Sequence, residues 1–343
     1  MIVDLSANRP AQRFYRGGPR IVAFRAGAAD PGAVPVGAER EPEDWIASVT
    51  TVFGQAEEGM TRLADGTLLR DAVAADPVGW LGAEHVARWG DDPQLLVKLL
   101  DAGQRLPVHA HPDDDFAATR LGHRHGKAEA WYILSSGTVH VGLRRPVSEA
   151  ELAELVGTQR VEELLGLLHP VRVSPGDVVW VPPGELHAIG AGVLLLELQQ
   201  PEDLSILLEW RDFSLDGERD GHVGLGFGRA LGAVSRRVRT EEELAELVSS
   251  SAPSGSVLPA AADRFFRLER RAVDGGATID AGYAIVVVVS GRLVVEGGLE
   301  PGEGDAAAPA GRVLLVPASH GPVRLRGAGD VLVARPPRPA AVP

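Results

Sequence analysis

Cysteine is absent from the 343 residues. No disulfide framework and no thiolate metal site can exist, so any metal must be held by His, carboxylate or amide groups. Long hydrophobic runs are missing as well. No stretch is long enough to span a bilayer, and the opening MIVDLSANRPAQRF has no apolar core of the secretory-signal kind. The expectation is a cytoplasmic protein. Basic residues are outnumbered, 34 Lys and Arg against 47 Asp and Glu, for a formal net charge of −13. That balance argues against nucleic acid and against an anionic membrane as general partners. An anionic small molecule would need a locally basic pocket.

What is present is ordinary for a globular protein: 45% hydrophobic and 24% charged residues, in a length that suggests about two domains. The informative stretch runs from Leu106 to Ser136, LPVHAHPDDDFAATRLGHRHGKAEAWYILSS. His109 and His111 are two apart, and in a strand such residues share a face, so both imidazoles can aim at one centre. Lys127 and Glu129 repeat the spacing before an apolar run, Trp131 to Leu134, that reads as a second strand. His187 follows later, just past a Pro-Pro-Gly turn in GDVVWVPPGELHAIG. Three His and one Glu form a set suited to Zn²⁺ or Fe²⁺. His123 and His125 lie nearby and are read as background.

Around this stretch most segments are short and β-like. Residues 1 to about 45 read as extended pieces and loops. Trp45–Phe53, Leu95–Leu100 and Thr138–Leu143 read as strands, as do short runs at Val171, Val178–Val181 and Val193–Leu198. Thr67–Ala75 reads as a helix capped by Thr67 or Asp71. Ser148–Leu168 changes period, opens with Ser148 and Glu151 at capping-box spacing, and suits one or two amphipathic helices. Thr240–Ser250 is a short helix with Glu243 three residues after Thr240, and Ser249–Ser256 reads as a linker.

The chain also repeats itself. AWYILSSGTVHV at 130–141 aligns with AIVVVVSGRLVV at 284–295, and PGDVVWVP at 175–182 with AGRVLLVP at 310–317. The first copy is longer between its blocks, and the helical segment at 148–168 accounts for the excess. Short strands with Gly/Pro turns at this spacing point to jelly-roll barrels. The expected organisation is a catalytic β-unit over 1–235 with a helical insertion, a helix and linker over 236–262, and a second β-unit over 263–343. The repeat sets Tyr283 opposite Glu129, Pro322 opposite His187, and Asp263 and Phe265 opposite the first two His. The second unit should therefore hold no metal.

HxH followed by Glu, then Gly176, Pro182, Gly184 and His187, resembles the two sequence motifs of cupins. More narrowly, LLVKLLDAGQRLPVHAHPDDDFA, GKAEAWYIL and GDVVWVPPGELHAIGAGVLLLELQQ, in that order, resemble class I mannose-6-phosphate isomerases of the short bacterial type. The likeness runs from about Glu41 to Leu231, with a weaker second cupin after it. The resemblance implies a mainly β fold of two cupin barrels. It also implies one Zn²⁺ per chain, with Fe²⁺ or Mn²⁺ as alternatives, on His109, His111, Glu129 and His187. Lys127 matches a lysine that the family uses at the substrate.

Two departures bear on function. The family usually has Gln where His109 stands, so the set here is also that of many cupin oxygenases and binding proteins. The family's substrate-contacting Arg after the Glu-x-Gln strand is missing from the run Gln200–Leu207, and Arg211 is the candidate replacement. The expected activity is metal-dependent interconversion of mannose 6-phosphate and fructose 6-phosphate through an enediol. Lys127 and Glu197 are the candidate proton carriers, with Lys127 lowered near a dication. Asp113 and Asp114 read as a turn. The partner is a sugar or sugar phosphate, and the protein a monomer or homodimer. An Fe²⁺ dioxygenase and a non-catalytic sugar-binding cupin are the competing readings.

Overall fold

The computed structural model describes residues 1–11, 13–28, 40–252, 254–300 and 302–339. The protein is mainly β. Its leading part is built on two antiparallel sheets. One has six strands in the order Val248–Ser250, Asp177–Val181, Glu129–Ile133, Leu194–Gln199, Leu96–Asp101, Glu43–Ile46. The other has five, in the order Ile206–Leu207, His109–Ala110, His187–Ile189, Gly137–Leu143, Leu168–Val173.

Alternation along each strand decides what each sheet covers. Trp131, Ile133, Val179 and Leu195 on the six-stranded sheet meet Val139, Val173 and Ile189 on the five-stranded sheet in one buried cluster. The alternate residues, Tyr132, Trp180, Leu196 and Leu198, face the other way and pack on Phe265, Phe266, Ile285 and Leu332 of the trailing part. The six-stranded sheet is thus buried on both faces, which is why LLVKLL and LLLELQ read as continuous apolar runs. On the outside of the five-stranded sheet lies the helical insertion, Glu149–Gly157 and Val161–Gly166. Its Leu152, Leu155, Val156 and Leu164 cover Leu143, Leu168, Ala188 and Ile206. Ser148 caps the first of these helices by accepting from the backbone N–H of Glu151.

The trailing part is one seven-stranded sheet dominated by three long strands, Arg267–Ile279, Ala284–Val295 and Val323–Arg335. Its second face is an aliphatic cluster including Val286, Val288, Leu293, Leu314, Val316 and Val331. Strand pairing does not follow the expected spans. Val3–Asp4 joins this trailing sheet beside Leu314 and Leu315, whereas Val248–Ser250 joins the leading six-stranded sheet. The stretch expected as helix and linker therefore holds the helix Glu241–Leu247, with its full Thr240/Glu243 capping box, and then one short strand on each sheet.

The register also corrects the internal alignment. Val181 pairs with Glu129, and Val316 pairs with Ala284. Val181 and Val316 occupy equivalent inward positions in the two copies, so the counterpart of Glu129 is Ala284, not Tyr283. A one-residue slip exchanges the faces of a strand, and Tyr283 belongs to the cluster between the two parts.

Other elements differ from the sequence expectation for local reasons. The strand near Trp45 is Glu43–Ile46, and it stops where Ala47 takes φ +48°. The helix Arg20–Arg25 lies inside the expected loop region; only Ile21 and Phe24 anchor it, too few to show a period. Leu69–Ala75 forms, but no side chain caps it. Pro77–Leu81 and Ala83–Trp89 were not anticipated, although Asp76 accepting from Gly79 and Pro77 in the first turn are a start signal.

Candidate metal centre

His109 and His187 sit directly opposite each other on adjacent antiparallel strands, with ring centroids 4.0 Å apart. Cross-strand pairs bring Cβ atoms to about 4.5–5.5 Å, so the pairing itself delivers two imidazoles to one place. Regular strand covers only His109 and Ala110, yet His111 just beyond it keeps its ring 4.9 Å from that of His109. The turn that returns His187 needs Gly184, at φ +83° with Ala233 O 3.0 Å from where a Cβ would stand. The Gly184 N–H donates to His111 O at 2.7 Å and ties the two ligand segments together. Glu129 comes from the facing sheet.

The backbone fixes the state of all three rings. Nδ1 of His109 lies 2.8 Å from Pro107 O, that of His111 2.7 Å from Leu204 O, and that of His187 2.9 Å from Glu185 O. A carbonyl can only accept, so each Nδ1 carries the proton and each Nε2 presents a bare lone pair. Burial holds all three rings below the usual imidazole range, His187 at about 3. Neutral imidazole is the form that binds metals. Among the described residues these three form the one cluster of potential metal ligands, their ligand atoms within 4.8 Å of one another.

Glu129 completes the arrangement. Its Oε1 lies 2.9 Å from His111 Nε2, and its Oε2 3.5 Å from His187 Nε2, which is buried without a hydrogen-bond partner. Burial opposes charge on Glu129, but the positive charge facing it, Lys127 included, outweighs burial and holds the carboxyl well below its usual range. Three imidazoles that each turn a bare Nε2 inward, beside a buried carboxylate, are a donor set of the kind that holds a divalent cation. The residues present therefore fit a divalent metal.

A row of further ionisable groups continues from Glu129 across the inner face of the six-stranded sheet. Lys127 Nζ lies 2.6 Å from Glu129 Oε1 and 3.4 Å from His111 Nε2. The carboxylates around it raise its ammonium, whereas the expected lowering is tied to a bound dication. Burial works against it, and Glu129, Glu197 and Asp203 prevail. Glu197 is pushed up to about 7, first by burial and then by Glu129. Its Oε1 has no hydrogen bond and faces Lys98 Nζ at 3.7 Å. Lys98 also lies 3.9 Å from Glu43, 4.0 Å from Asp203 and 4.5 Å from the Trp45 ring.

Sequence reasoning missed Lys98, Asp203 and Arg13. A Lys inside the apolar run LLVKLL was the available signal, since a buried Lys requires partners. The expectation for Arg211 fails. Arg211 is half exposed beside the helical insertion, donating to both carboxylate oxygens of Glu162 at 2.8 and 3.0 Å, on the outer side of the five-stranded sheet. Asp113 caps the turn after His111 by accepting from the Phe116 N–H, and Asp114 accepts from the Gly126 N–H and the Gln200 side chain. A cleft of about 190 Å³ opens beside the centre, lined by Arg13, Phe53, Asp203, Ser205 and Leu207 among others.

Fold and site together define a class: a mainly β protein on facing antiparallel sheets, with three neutral imidazoles and a carboxylate converging between them. Within that class the likeness is to mannose-6-phosphate isomerases, in sequence through the middle of the chain and in fold over nearly all of it. A probable mannose-6-phosphate isomerase of Bacillus subtilis, GmuF, is 39% identical over 129 residues, 34% of this chain and 40% of that one. A mannose-6-phosphate isomerase of Streptococcus mutans is 33% identical over 150 residues, 42% of this chain and 45% of that one. The matched stretch thus spans less than half the length of these relatives. Two solved structures share the fold. A putative mannosephosphate isomerase from Archaeoglobus fulgidus has TM-score 0.72, 20% identity and 98% coverage of both chains. The mannose 6-phosphate isomerase from Bacillus subtilis has TM-score 0.71 and 22% identity, over 97% of this chain and 99% of that one. No family model matches the sequence.

Proposed function

We propose that this chain is a metal-dependent aldose–ketose isomerase interconverting mannose 6-phosphate and fructose 6-phosphate through an enediol. The observation that carries the reading is the convergence of the His109, His111 and His187 ligand atoms within 4.8 Å of one another, in an interior also lined by Glu129, Lys127 and Glu197. His109, His111, Glu129 and His187 would hold the ion, Zn²⁺ in the first instance. When bound, it supplies Lewis acidity that polarises a carbonyl and its neighbouring hydroxyl.

The chain's own groups do the rest. Glu197, pushed up to about 7, is poised to take a proton from one substrate carbon and return it to the next near neutral pH. Lys127, whose charge Glu129, Glu197 and Asp203 favour, donates hydrogen bonds to substrate oxygens and serves orientation and charge neutralisation. The apolar wall of Trp131, Ile133 and Ile189 limits water around the enediol. The same reading makes the leading β-unit the catalytic cupin barrel and the trailing one a barrel without ligands. It also implies a cytoplasmic protein that acts alone or as a homodimer. No helix among the described residues is long and apolar enough to cross a membrane.

Metal analysis coupled to an isomerase assay tests the proposal. The expected result is one ion per chain, loss of turnover on chelation, and recovery with Zn²⁺, Mn²⁺ or Fe²⁺. Oxygen consumption dependent on Fe²⁺ would replace the isomerase by a dioxygenase. Sugar-induced stabilisation with no turnover under any metal would leave a binding protein.

A further inference from the structure

Arg13 stands at the meeting of three chain segments. Its Nη1 and Nη2 donate to the two carboxylate oxygens of Asp203 at 3.1 and 3.3 Å. Asp203 in turn accepts from the Phe53 backbone N–H at 3.1 Å. The guanidinium lies 5.7 Å from the Trp45 ring and 5.8 Å from that of Phe14, so stacking fixes its plane. Its Nε is 3.2 Å from Glu43 Oε1 but buried and off hydrogen-bond geometry. The two-toothed fork to Asp203 is the geometry in which a guanidinium also takes a phosphate.

The position of Arg13 matters because of what borders it. In the cleft of about 190 Å³ beside the metal centre, Arg13 is the one Arg or Lys among the described lining residues. Leu207 lines the same cleft and pairs with His109, so the cleft abuts a ligand-bearing strand. The other cations of the site do not line this cleft: Lys127 faces Glu129, Lys98 lies among Glu43, Glu197 and Asp203, and Arg211 pairs with Glu162 outside.

We propose that Arg13 determines substrate specificity by taking the phosphate end of the sugar, and that Asp203 is an internal anion occupying its fork until the phosphate displaces it. The identity of the sugar rests on the isomerase reading; the phosphate contact does not. A guanidinium fork matches a phosphate as it matches a carboxylate, through two parallel N–H bonds. Asp203 then serves two ends: it neutralises a buried cation in the resting state and competes with any anion that enters.

Calorimetric titration of the full chain with glucitol 6-phosphate and with glucitol separates this role from a structural one, and needs no turnover. Arg13→Gln should weaken glucitol 6-phosphate by at least about tenfold and leave glucitol unchanged, with Arg13→Lys recovering part of the loss. Asp203→Asn should tighten glucitol 6-phosphate, because the competing charge is gone. Equal losses on both ligands, no loss for Arg13→Gln, or weaker phosphate binding in Asp203→Asn would each overturn the proposal. Should Arg13→Gln fail to fold, the sign of the Asp203→Asn change decides. Failure of the isomerase reading would appear separately, as phosphate-selective binding without turnover.

Discussion

The two β-units use equivalent strands to opposite ends. In the leading unit the inward positions include Lys98, Glu129, Glu197 and Gln199 among the apolar residues. In the trailing unit the equivalent face is Ala284, Val286, Val288, Leu314 and Val316. One interior therefore carries ionisable groups that must be paired and desolvated, each at a price in stability; the other is filled with aliphatic side chains that only stabilise. The aliphatic unit also covers the outside of the six-stranded sheet through Phe265, Phe266 and Ile285. The division resembles a trade between activity and stability made between two copies rather than within one.

The comparison breaks most severely at His187. His187→Ala removes a proposed ligand and leaves the other two imidazoles and Glu129 without a closed set. Loss of a mere supporting partner of a ligand costs about 10–100-fold, so loss of the ligand should reduce metal affinity by more than that and abolish turnover. Metal stoichiometry after dialysis and the isomerase rate are the readouts. Full metal content and activity in His187→Ala would remove the leading unit's claim to be different.

A second test sharpens the supporting role of the trailing unit. Trp180 packs its ring 5.7 Å from Phe265 and 6.0 Å from Phe266 across the contact between the parts. Trp180→Ala should cost about 3–5 kcal/mol, read by denaturant or thermal unfolding, while metal stoichiometry below the transition stays at the wild-type value. A variant that loses metal without losing stability would mean that the trailing unit shapes the site directly.

How far the sequence shows this division depends on how local each signal is. The HxH pair, Glu129 and His187 were legible because strand period and a Pro-Pro-Gly turn are local. The capping boxes and the helical insertion were legible for the same reason. Lys98, Asp203 and Arg13 were not, because each becomes a site residue only through partners some 100–190 positions away. Arg211 was misread because sequence proximity to a motif says nothing about which side of a sheet the chain has reached. Tyr283 was misaligned by one residue, a slip that apolar strands such as AIVVVV cannot reveal, since every position is hydrophobic and only pairing to Val316 tells inward from outward.

The finest contrast lies at Glu197, an inward carboxyl with no counterpart in the aliphatic cluster of the trailing unit. Its ordinary value is 4.5, and burial together with Glu129 pushes it up to about 7 in the fold. A raised carboxyl favours the folded state while protonated. That contribution is fully present below 4.5 and is lost as pH rises through about 7. The shift corresponds to at most about 3 kcal/mol. In chelated protein, Glu197→Gln mimics the protonated form at every pH. Its melting temperature should match wild type at pH 5 and exceed it increasingly toward pH 8. A pH-independent difference would show that Glu197 ionises as it does in water. Metal loading sharpens the test, because a nearby dication favours the ionised carboxylate and should shrink the gap at pH 8. A gap unaffected by metal would place the cation out of electrostatic reach of Glu197 and leave the proton-transfer role without its partner.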